Sequence, residues 1–296
     1  MAVISVIMGV YNQKDARQLR QAVDSVLGQT MQDLEFLIWD DGSDEEGARV
    51  LREVCSGDER IRLIQGGCSE SPGTESPESR SAGRNPDPEP RKPRGPANHG
   101  LAWALNGCIE QARGTYIARM DADDICLPER LARQYEYLER HPEIGYVGCG
   151  AELFDDRGTW GRREMPASPS AEDYLRYSPF IHPSVMFRTE VLRQAGGYRT
   201  ARETMRCEDY DLFLRLYLSG CYGYNLPEVL FRYREDRGSF RRRTFRSRMR
   251  EMQVRMRYFG RLPVSGGKRL LYTVRPLAAA LVPGRVIRLV RRAAQG

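Results

Sequence analysis

Long hydrophobic runs are missing from this sequence. No stretch approaches the roughly 18 uninterrupted apolar residues that a membrane-spanning helix needs. The chain also begins without a basic segment followed by a cleavable apolar one, because Met1 leads directly into the apolar run at residues 2–8, which is typical of a buried strand. We therefore predict a cytoplasmic protein. Its 296 residues are enough for one large α/β domain with appendages.

Cysteine, histidine and lysine are used sparingly. The seven cysteines are widely spaced and form no Cys-x-x-Cys pair, which argues against a zinc site and favours free thiols in a reducing compartment. The chain has three histidines, and it has three lysines against 43 arginines. Chemistry based on a zinc ion is therefore not indicated.

Acidic residues are nearly absent from the end of the chain. Residues 241–296 carry 16 basic residues and one acid, whereas residues 1–240 carry 30 basic and 39 acidic residues. The net charge of +6 therefore combines an acidic body with a basic end. Because the body is acidic, we expect no nucleic-acid partner.

The basic end alternates arginines with apolar residues, a pattern that predicts amphipathic helix. We predict that residues 241–296 form an extension to a catalytic domain at residues 1–240. One interpretation places the extension on an anionic membrane surface, so that the protein is peripheral on the inner face of the cell membrane. The other interpretation is that the extension packs on the body or on a partner and leaves its basic face in solvent.

Apolar runs and helix-periodic segments alternate along the body. This order predicts an α/β fold, with a Rossmann-like, mostly parallel sheet, right-handed crossovers and flanking helices. Strands are predicted at residues 2–8, 34–39, 61–64, 116–120, 144–154 and 229–234. Helices are predicted from residue 14, at 45–55, 101–109 and 128–140, in short pieces at 170–177 and 189–195, and at 208–219.

Residues 66–97 interrupt this pattern. They contain seven of the 17 prolines and almost no large apolar side chain. Such a segment cannot bury enough surface to offset the entropy lost on ordering. We predict a flexible Pro/Ser/Gly-rich insertion within the domain, which is either a plain surface insertion or a lid over the active site.

The run Asp121-Ala122-Asp123-Asp124 follows a predicted strand. Open α/β sheets bind ligands at the carboxyl ends of their strands, and alternate residues of an extended segment point the same way. Asp121 and Asp123 are therefore expected to face one site. Crowded carboxylates suit Mg²⁺ or Mn²⁺, but a solvated turn in which Asp124 caps the next helix explains the same spacing.

Several weaker signals lie at the ends of other elements. Asp40-Asp41-Gly42-Ser43-Asp44 can bind a base or ribose, or form a strand-to-helix turn in which Ser43 or Asp44 caps the helix. Tyr11-Asn12 can supply an aromatic side chain that stacks on a nucleobase. Glu208-Asp209 opens a helix, where acids are favoured by the helix dipole or serve as a general base. His182-Pro183-Ser184 is a lesser candidate, because a structural histidine explains it better than a functional one.

The order of these motifs is more informative than any one of them. The sequence resembles the inverting family-2 glycosyltransferases of the GT-A fold, bacterial type, over about residues 2–234 apart from the insertion. The residues that carry the resemblance are Val6-Ile7-Met8-Gly9-Val10-Tyr11-Asn12, Asp40-Asp41-Gly42-Ser43, Asn98-x-Gly100-Leu101-Ala102-x-Ala104-Leu105-Asn106, Ala118-Arg119-Met120-Asp121-Ala122-Asp123-Asp124, His182-Pro183-Ser184 and Glu208-Asp209-Tyr210-Asp211.

The resemblance implies a role for each matching position. It implies a donor site in which Tyr11 and either Asp40 or Asp41 hold the base, commonly uracil, while Asp121 meets the ribose. It implies that Asp123 binds Mn²⁺ or Mg²⁺. The implied donor-binding residues are Val10, Tyr11, Asn12, Asp40, Asp41, Asn98, Arg119 and Asp121. The implied catalytic pair is Asp209, as the base, with Glu208, and His182 is implied on the acceptor side.

The implied activity is transfer of a sugar, with inversion, from a nucleotide-sugar donor to an acceptor hydroxyl. A UDP-sugar is the favoured donor, and the acceptor is a sugar or a lipid-linked sugar, as in the synthesis of cell-surface polysaccharide or glycolipid. Two other classes explain parts of the sequence. A sugar nucleotidyltransferase shares the sheet and the metal carboxylates but favours a Gly-rich, Lys- or Arg-bearing loop after strand one. A non-catalytic membrane or nucleic-acid binder uses the basic end but leaves the acidic body unexplained.

Overall fold

The computed structural model describes residues 2–66, 98–235 and 245–281, and nine strands in these residues form one sheet. The strands are β1 Ile4–Val10, β2 Leu34–Asp40, β3 Ile61–Gln65, β4 Tyr116–Arg119, β5 Ile125–Cys126, β6 Ile144–Asp155, β7 Gly158–Arg163, β8 Met186–Arg188 and β9 Tyr222–Arg234. The helices are α1 Ala16–Leu27, α2 Glu45–Cys55, α3 Leu101–Gln111, α4 Arg130–Arg140, α5 Ala171–Arg176, α6 Thr189–Gln194, α7 Glu208–Leu218, α8 Phe245–Tyr258 and α9 Gly266–Leu281.

One half of the sheet contains β3, β2, β1 and β4, which run parallel in that order. The prediction of a parallel α/β arrangement is confirmed in this half. Strand β2 is buried at all seven positions, as expected of a strand covered on both faces. The register pairs Val10 with Asp40 and Ile7 with Arg119. The carboxyl ends of three neighbouring strands therefore lie at one edge of the sheet.

The other half is mixed, and the sequence pattern did not reveal its shortest strands. Strand β8 runs antiparallel to both β4 and β6, β9 runs parallel to β6, and β5 runs antiparallel to β9. Strands β5, β7 and β8 were not predicted, because two to six residues give too little periodicity to recognise. Strand β9 also begins at Tyr222, earlier than the predicted residue 229.

The hydrophobic core has two parts, one on each face of the sheet. Neighbouring strand residues such as Val6 and Ile7 belong to different parts, because successive side chains of a strand point to opposite faces. Val254, Tyr258 and Phe259 from the basic end belong to the second part. Helix α8 therefore packs against the body. The predicted domain boundary near residue 240 lies outside the described residues.

The structure describes only parts of the basic end and of the predicted insertion. The insertion predicted at residues 66–97 lies outside the described residues except for Gly66. Among the helices that the structure describes, none is long and apolar enough to cross a membrane.

Candidate functional site

Three carboxylates cluster where β4 ends. Asp121, Asp123 and Asp124 each place a carboxylate oxygen within 4.8 Å of the others. The buried Arg119, the last residue of β4, forms an ion pair with Asp121, with 2.5 Å between Nη1 and Oδ2. The predicted convergence of Asp121 and Asp123 is therefore present in the structure, and Arg119 lies directly beside it.

Full ionisation of this cluster is unfavourable, because its carboxylates lie close together. Burial and then repulsion from Asp121 raise the pKa of Asp123 to about 6. Burial, followed by repulsion from Asp121 and Asp123, raises the pKa of Asp124 well above its usual value. Burial lowers the pKa of Arg119, but the attraction of Asp121 outweighs it and the net change is upward. Arg119 therefore stays charged and offsets part of the acidic charge.

Asp124 does not cap a helix, so the interpretation of Asp124 as a cap is wrong. Helix α4 begins at Arg130, and Asp124 directly precedes β5. Its Oδ1 accepts a hydrogen bond of 2.7 Å from the backbone amide of Arg234 at the end of β9. Its Oδ2 is buried and has no hydrogen-bond partner among the described residues. A buried carboxylate oxygen without a donor is expected to bind a cation or a proton.

The donor set of the cluster fits a divalent cation. Mg²⁺ and Mn²⁺ prefer oxygen ligands, and carboxylates are the charged oxygen ligands of proteins. Asp121 is engaged by Arg119, whereas the carboxylate of Asp123 is partly buried and repelled by its neighbour. Asp123 and the unpartnered Oδ2 of Asp124 are therefore the groups best placed to hold such an ion. Asp124 adds to Asp123, which was the metal ligand implied by the sequence.

Asp40 and Asp41 lie at the neighbouring strand end and are both buried. Asp40 Oδ1 accepts a hydrogen bond of 2.8 Å from the amide of Ser43. Asp41 accepts bonds from the amides of His99 and Gly100, the latter at 2.6 Å. Strand β1 separates these acids from β4, which corresponds to about 10 Å between strand axes. The side chain of Asp41 thus fixes the backbone that leads into α3.

The loop after β1 is tied to the same turn. The backbone amide of Asn12 donates to the hydroxyl of Ser43, and its side-chain oxygen accepts from the amide of Asp44. Asp44 caps α2 through the amide of Gly47, as one of the two predicted capping choices. Asn12 also adopts a positive φ of 50°, which asparagine tolerates well. The side chain of Asn12 therefore bonds the backbone of the turn at Asp44.

The remaining predicted donor residues differ in their exposure to solvent. They are Tyr11, Val10 and Asn98. The side chain of Tyr11 is half exposed, as a base-stacking residue requires. Val10 is buried, and its carbonyl accepts a hydrogen bond from the amide of Asp41. Asn98 is exposed at the start of the described segment. These positions lie at the predicted donor edge.

A second acidic pair, Glu208-Asp209, opens α7. Burial and then repulsion from Asp209 raise the pKa of Glu208 to about 7. Burial also raises the pKa of Asp209, and the backbone amide of Tyr210 opposes this shift. A carboxylate with a raised pKa is a better proton acceptor than an exposed one. The pair therefore has the properties of a general base, beyond the favourable helix dipole.

The partly buried His182 and the buried Tyr198 form a pair near the acids. His182 Nε2 and the hydroxyl of Tyr198 are 2.8 Å apart. Burial and then the charge of Arg119 lower the pKa of His182 well below its usual value, so its ring is neutral. Asn106 holds Tyr198 by accepting from its amide and donating to its carbonyl, both at 2.8 Å. Sequence reasoning missed Tyr198, although Asn106 belongs to a recognised motif.

Arg119 connects the two acidic groups. Its charge acts on the pKa of Asp123 and Asp124 on one side and on the pKa of Glu208 and Asp209 on the other. The six side chains Arg119, Asp121, Asp123, His182, Glu208 and Asp209 are thus electrostatically linked through Arg119 or its direct partner. The structure brings together the acids of β4 and α7, which lie far apart in the sequence.

Comparisons with known proteins were made with this geometry in hand. Residues 5–73 and 78–201 match the model described as Glycosyl transferase family 2. A protein of Bacillus subtilis (strain 168) named as a glycosyltransferase, EpsE, is 33% identical over 96% of this chain and 91% of its own length. The Escherichia coli UDP-Gal:alpha-D-GlcNAc-diphosphoundecaprenol beta-1,3-galactosyltransferase is 30% identical over 49% of this chain and 53% of its own length.

Two solved structures share the fold. S. aureus TarS in complex with UDP-GlcNAc has a TM-score of 0.62 at 14% identity, covering 94% of this chain and 72% of its own. The mannosyltransferase PcManGT from Pyrobaculum calidifontis, in complex with GDP-Man and Mn²⁺, has a TM-score of 0.57 at 17% identity, covering 99% of this chain and 79% of its own. The predicted GT-A-type α/β fold is confirmed by these similarities.

Proposed function

This chain belongs to glycosyltransferase family 2, and we propose that it transfers a sugar from a UDP-sugar to the hydroxyl of a lipid-linked acceptor with inversion. The observation that carries the proposal is that Arg119 pairs with Asp121 in the acidic cluster after β4 while its charge also acts on the acidic pair that opens α7. One cluster suits a nucleoside diphosphate with its metal ion. The other suits proton removal from an acceptor.

The donor site is proposed at the carboxyl ends of β1, β2 and β4. Tyr11 stacks on the base, and the carboxylate of Asp40 or Asp41 accepts from its edge. Asp121 meets the ribose, while Val10, Asn12 and Asn98 shape the surrounding backbone. A UDP-sugar is favoured because S. aureus TarS, which shares the fold, binds UDP-GlcNAc. Arg119 is buried and charged, so it holds Asp121 in place.

Asp123 and Asp124 are proposed to hold a divalent cation, either Mn²⁺ or Mg²⁺. The Mn²⁺ in the PcManGT complex supports Mn²⁺ as the first choice. Such an ion supplies positive charge to the diphosphate of the donor when it is bound. The chain itself supplies the three clustered carboxylates and the buried Arg119, which keep that charge balance fixed before the reaction.

Asp209 is proposed as the catalytic base. It takes the proton of the acceptor hydroxyl while the hydroxyl oxygen forms a bond to the anomeric carbon. The bond from that carbon to the nucleoside diphosphate breaks on the opposite face, so the configuration inverts. Glu208 raises the local negative charge beside Asp209, and the neutral pair of His182 and Tyr198 offers hydrogen bonds to the acceptor side.

Nucleotide-dependent thermal stabilisation tests the donor site. UDP with Mn²⁺ is expected to raise the melting temperature of the wild-type chain more than UDP alone, because a ligand that binds only the folded state stabilises it. Asp123→Ala should lose this metal-dependent increment. Asp24→Ala, an exposed residue of α1, is the matched control and should retain it. An Asp123→Ala variant that keeps the full increment would contradict the assignment of Asp123.

The acceptor and the location are proposed together. The Escherichia coli relative is named for a diphosphoundecaprenol-linked acceptor, which is a lipid. In the described part of the basic end, Leu270, Leu271 and Val274 of α9 are exposed, and Arg275 beside them is exposed and basic. Exposed apolar side chains beside basic residues suit an anionic membrane surface. We propose that this face of α9 lies on the inner face of the cell membrane.

Vesicle binding tests the membrane face. The wild-type chain should co-sediment with anionic vesicles and less with neutral ones, and Leu270→Ser with Leu271→Ser should reduce this binding. Tyr222→Ser, an exposed apolar residue of β9, serves as the control. Equal binding of the wild type and the double variant would contradict the proposal.

A further inference from the structure

A single buried carboxylate, that of Asp211, lies two residues after the proposed base. It is fully buried. Its Oδ2 pairs with Arg215 Nε at 2.8 Å, and its Oδ1 pairs with Arg199 Nε at 3.3 Å. The hydroxyl of Tyr258 donates to the same Oδ1 at 2.7 Å. A buried charge with this many partners is held in one position, because losing a partner would leave it uncompensated.

Two of these partners reach the loop that carries Tyr198. Arg215 donates to the carbonyls of Ala195 and Gly197, the latter at 2.6 Å. Arg199 follows Tyr198 directly in the chain and donates to the hydroxyl of Tyr258 at 3.3 Å. The carboxylate therefore joins the loop after α6 to helix α7. Both segments border the proposed acceptor side, since Tyr198 contacts His182.

The third partner comes from the basic end of the chain. Tyr258 is the last residue of α8, and it is buried. Arg255, one turn earlier and also buried, donates to the carbonyl of Leu175 at 2.8 Å and lies over the ring of Tyr210. Helix α8 is thus anchored to α5 and α7 independently of Tyr258. The contacts of Arg255 therefore hold α8 in place while the hydroxyl of Tyr258 bonds to Asp211.

The start of α7 depends on this arrangement. The amide of Asp211 donates to the carbonyl of Cys207 at 2.9 Å, which forms the first turn of the helix. Glu208 and Asp209 lie within that turn. We propose that Tyr258 and Asp211 are positioning residues, through which helix α8 sets the place of the base at the start of α7. The inference rests on the proposed function for the identity of the base.

Hydrogen–deuterium exchange of the full chain tests the positioning directly. Tyr258→Phe deletes one hydroxyl and leaves the ring in the core. We expect about tenfold faster exchange of the amides at residues 207–211, because the carboxylate of Asp211 loses its hydrogen bond from this hydroxyl. Tyr146→Phe is the matched control, because it deletes a buried hydroxyl that is bonded to Tyr174 and not to Asp211. It should leave exchange at residues 207–211 unchanged.

Transfer kinetics provide a second readout. Tyr258→Phe should lower kcat about tenfold, with kcat expressed per mole of protein that binds UDP. The affinity for UDP should stay within about twofold, because the donor edge does not contact Asp211. Unchanged exchange at residues 207–211 in Tyr258→Phe, or an equal increase in Tyr146→Phe, would overturn the inference. If the wild-type chain transfers no sugar, the proposed function fails, while the exchange experiment still decides whether Tyr258 positions α7.

Discussion

The two acidic groups of this protein differ in what raises their pKa. In the cluster after β4, burial is joined by repulsion among three carboxylates, and one oxygen of Asp124 has no donor. In the pair that opens α7, burial alone raises the pKa of Asp209 against the pull of a backbone amide, and the pKa of Glu208 is raised by burial and by repulsion from a single neighbour, Asp209. Crowded negative charge is relieved by a cation. A pair of partly buried carboxylates can be relieved by one proton, so the two groups suit metal binding and proton transfer respectively.

Arg119 makes this division possible because it serves both groups at once. Its ion pair with Asp121 offsets the crowded cluster, and its charge lowers the pKa of Glu208 and Asp209 from a distance. Without Arg119 the five carboxylates of the site would lose the cation whose charge acts on both groups. The comparison of the two groups therefore predicts that variants in the cluster after β4 mainly change donor binding. Variants in the pair that opens α7 should mainly change catalysis.

The largest effect is expected for Asp209→Asn. The amide cannot accept the acceptor proton, so kcat should fall about 10³-fold, within the range of general-base contributions. UDP affinity should change by less than about twofold, because the variant leaves the cluster after β4 intact. Product release measures kcat, and calorimetry measures UDP binding. A similar loss of UDP affinity would contradict the assignment of donor binding and proton transfer to two separate acidic groups.

Arg119→Met tests whether one cation serves both groups. Removing a buried partner leaves uncompensated carboxylates, so the free energy of unfolding should fall by about 3 to 5 kcal/mol at pH 8. At pH 5 the loss should be smaller, because the acids with raised pKa can protonate. Urea denaturation at both pH values measures this. Arg140→Met removes an exposed ion pair with Glu136 and should change stability by under about 1 kcal/mol.

The smallest effect is expected for Glu208→Gln. The folded protein raises the pKa of Glu208 from 4.5 to about 7, so the folded state binds more protons than the unfolded state between these values. Wild-type stability should therefore fall as pH rises through this window. Glu208→Gln removes that loss and should stabilise the protein by about 2 kcal/mol at pH 8, with little effect at pH 4. Equal stabilisation at both pH values would contradict the raised pKa.

The parallel half of the fold was accessible to sequence reasoning, whereas the mixed half was only partly so. Strands β1, β2 and β4 are apolar runs separated by amphipathic helices, so local periodicity predicts them. Strand β8 has three residues and pairs with two strands that are distant in the sequence. No local pattern encodes such pairing. The same reason explains why Tyr198, which is placed by Asn106 from α3, was missed.

At the candidate site, too, contacts between residues that are distant in the sequence could not be predicted. The acids of β4 and α7 were identified from motif order, and the structure links them through Arg119. The state of Asp124 was not predictable, because its partner is the amide of Arg234, which lies more than a hundred residues away. The same holds for Tyr258, whose role depends on a contact with Asp211 across 47 positions.

The anchoring of the segment between Gly66 and Asn98 has a practical consequence. The amide of Gly66 donates to the carbonyl of Asp40, and the amides of His99 and Gly100 donate to the side chain of Asp41. Two adjacent residues thus hold the chain where it leaves the sheet and where it returns. Doubling the length of a connection costs only about 0.6 kcal/mol in closure entropy. We predict that this junction can serve as a graft point, where the connection between Gly66 and Asn98 is exchanged while both anchors stay in place.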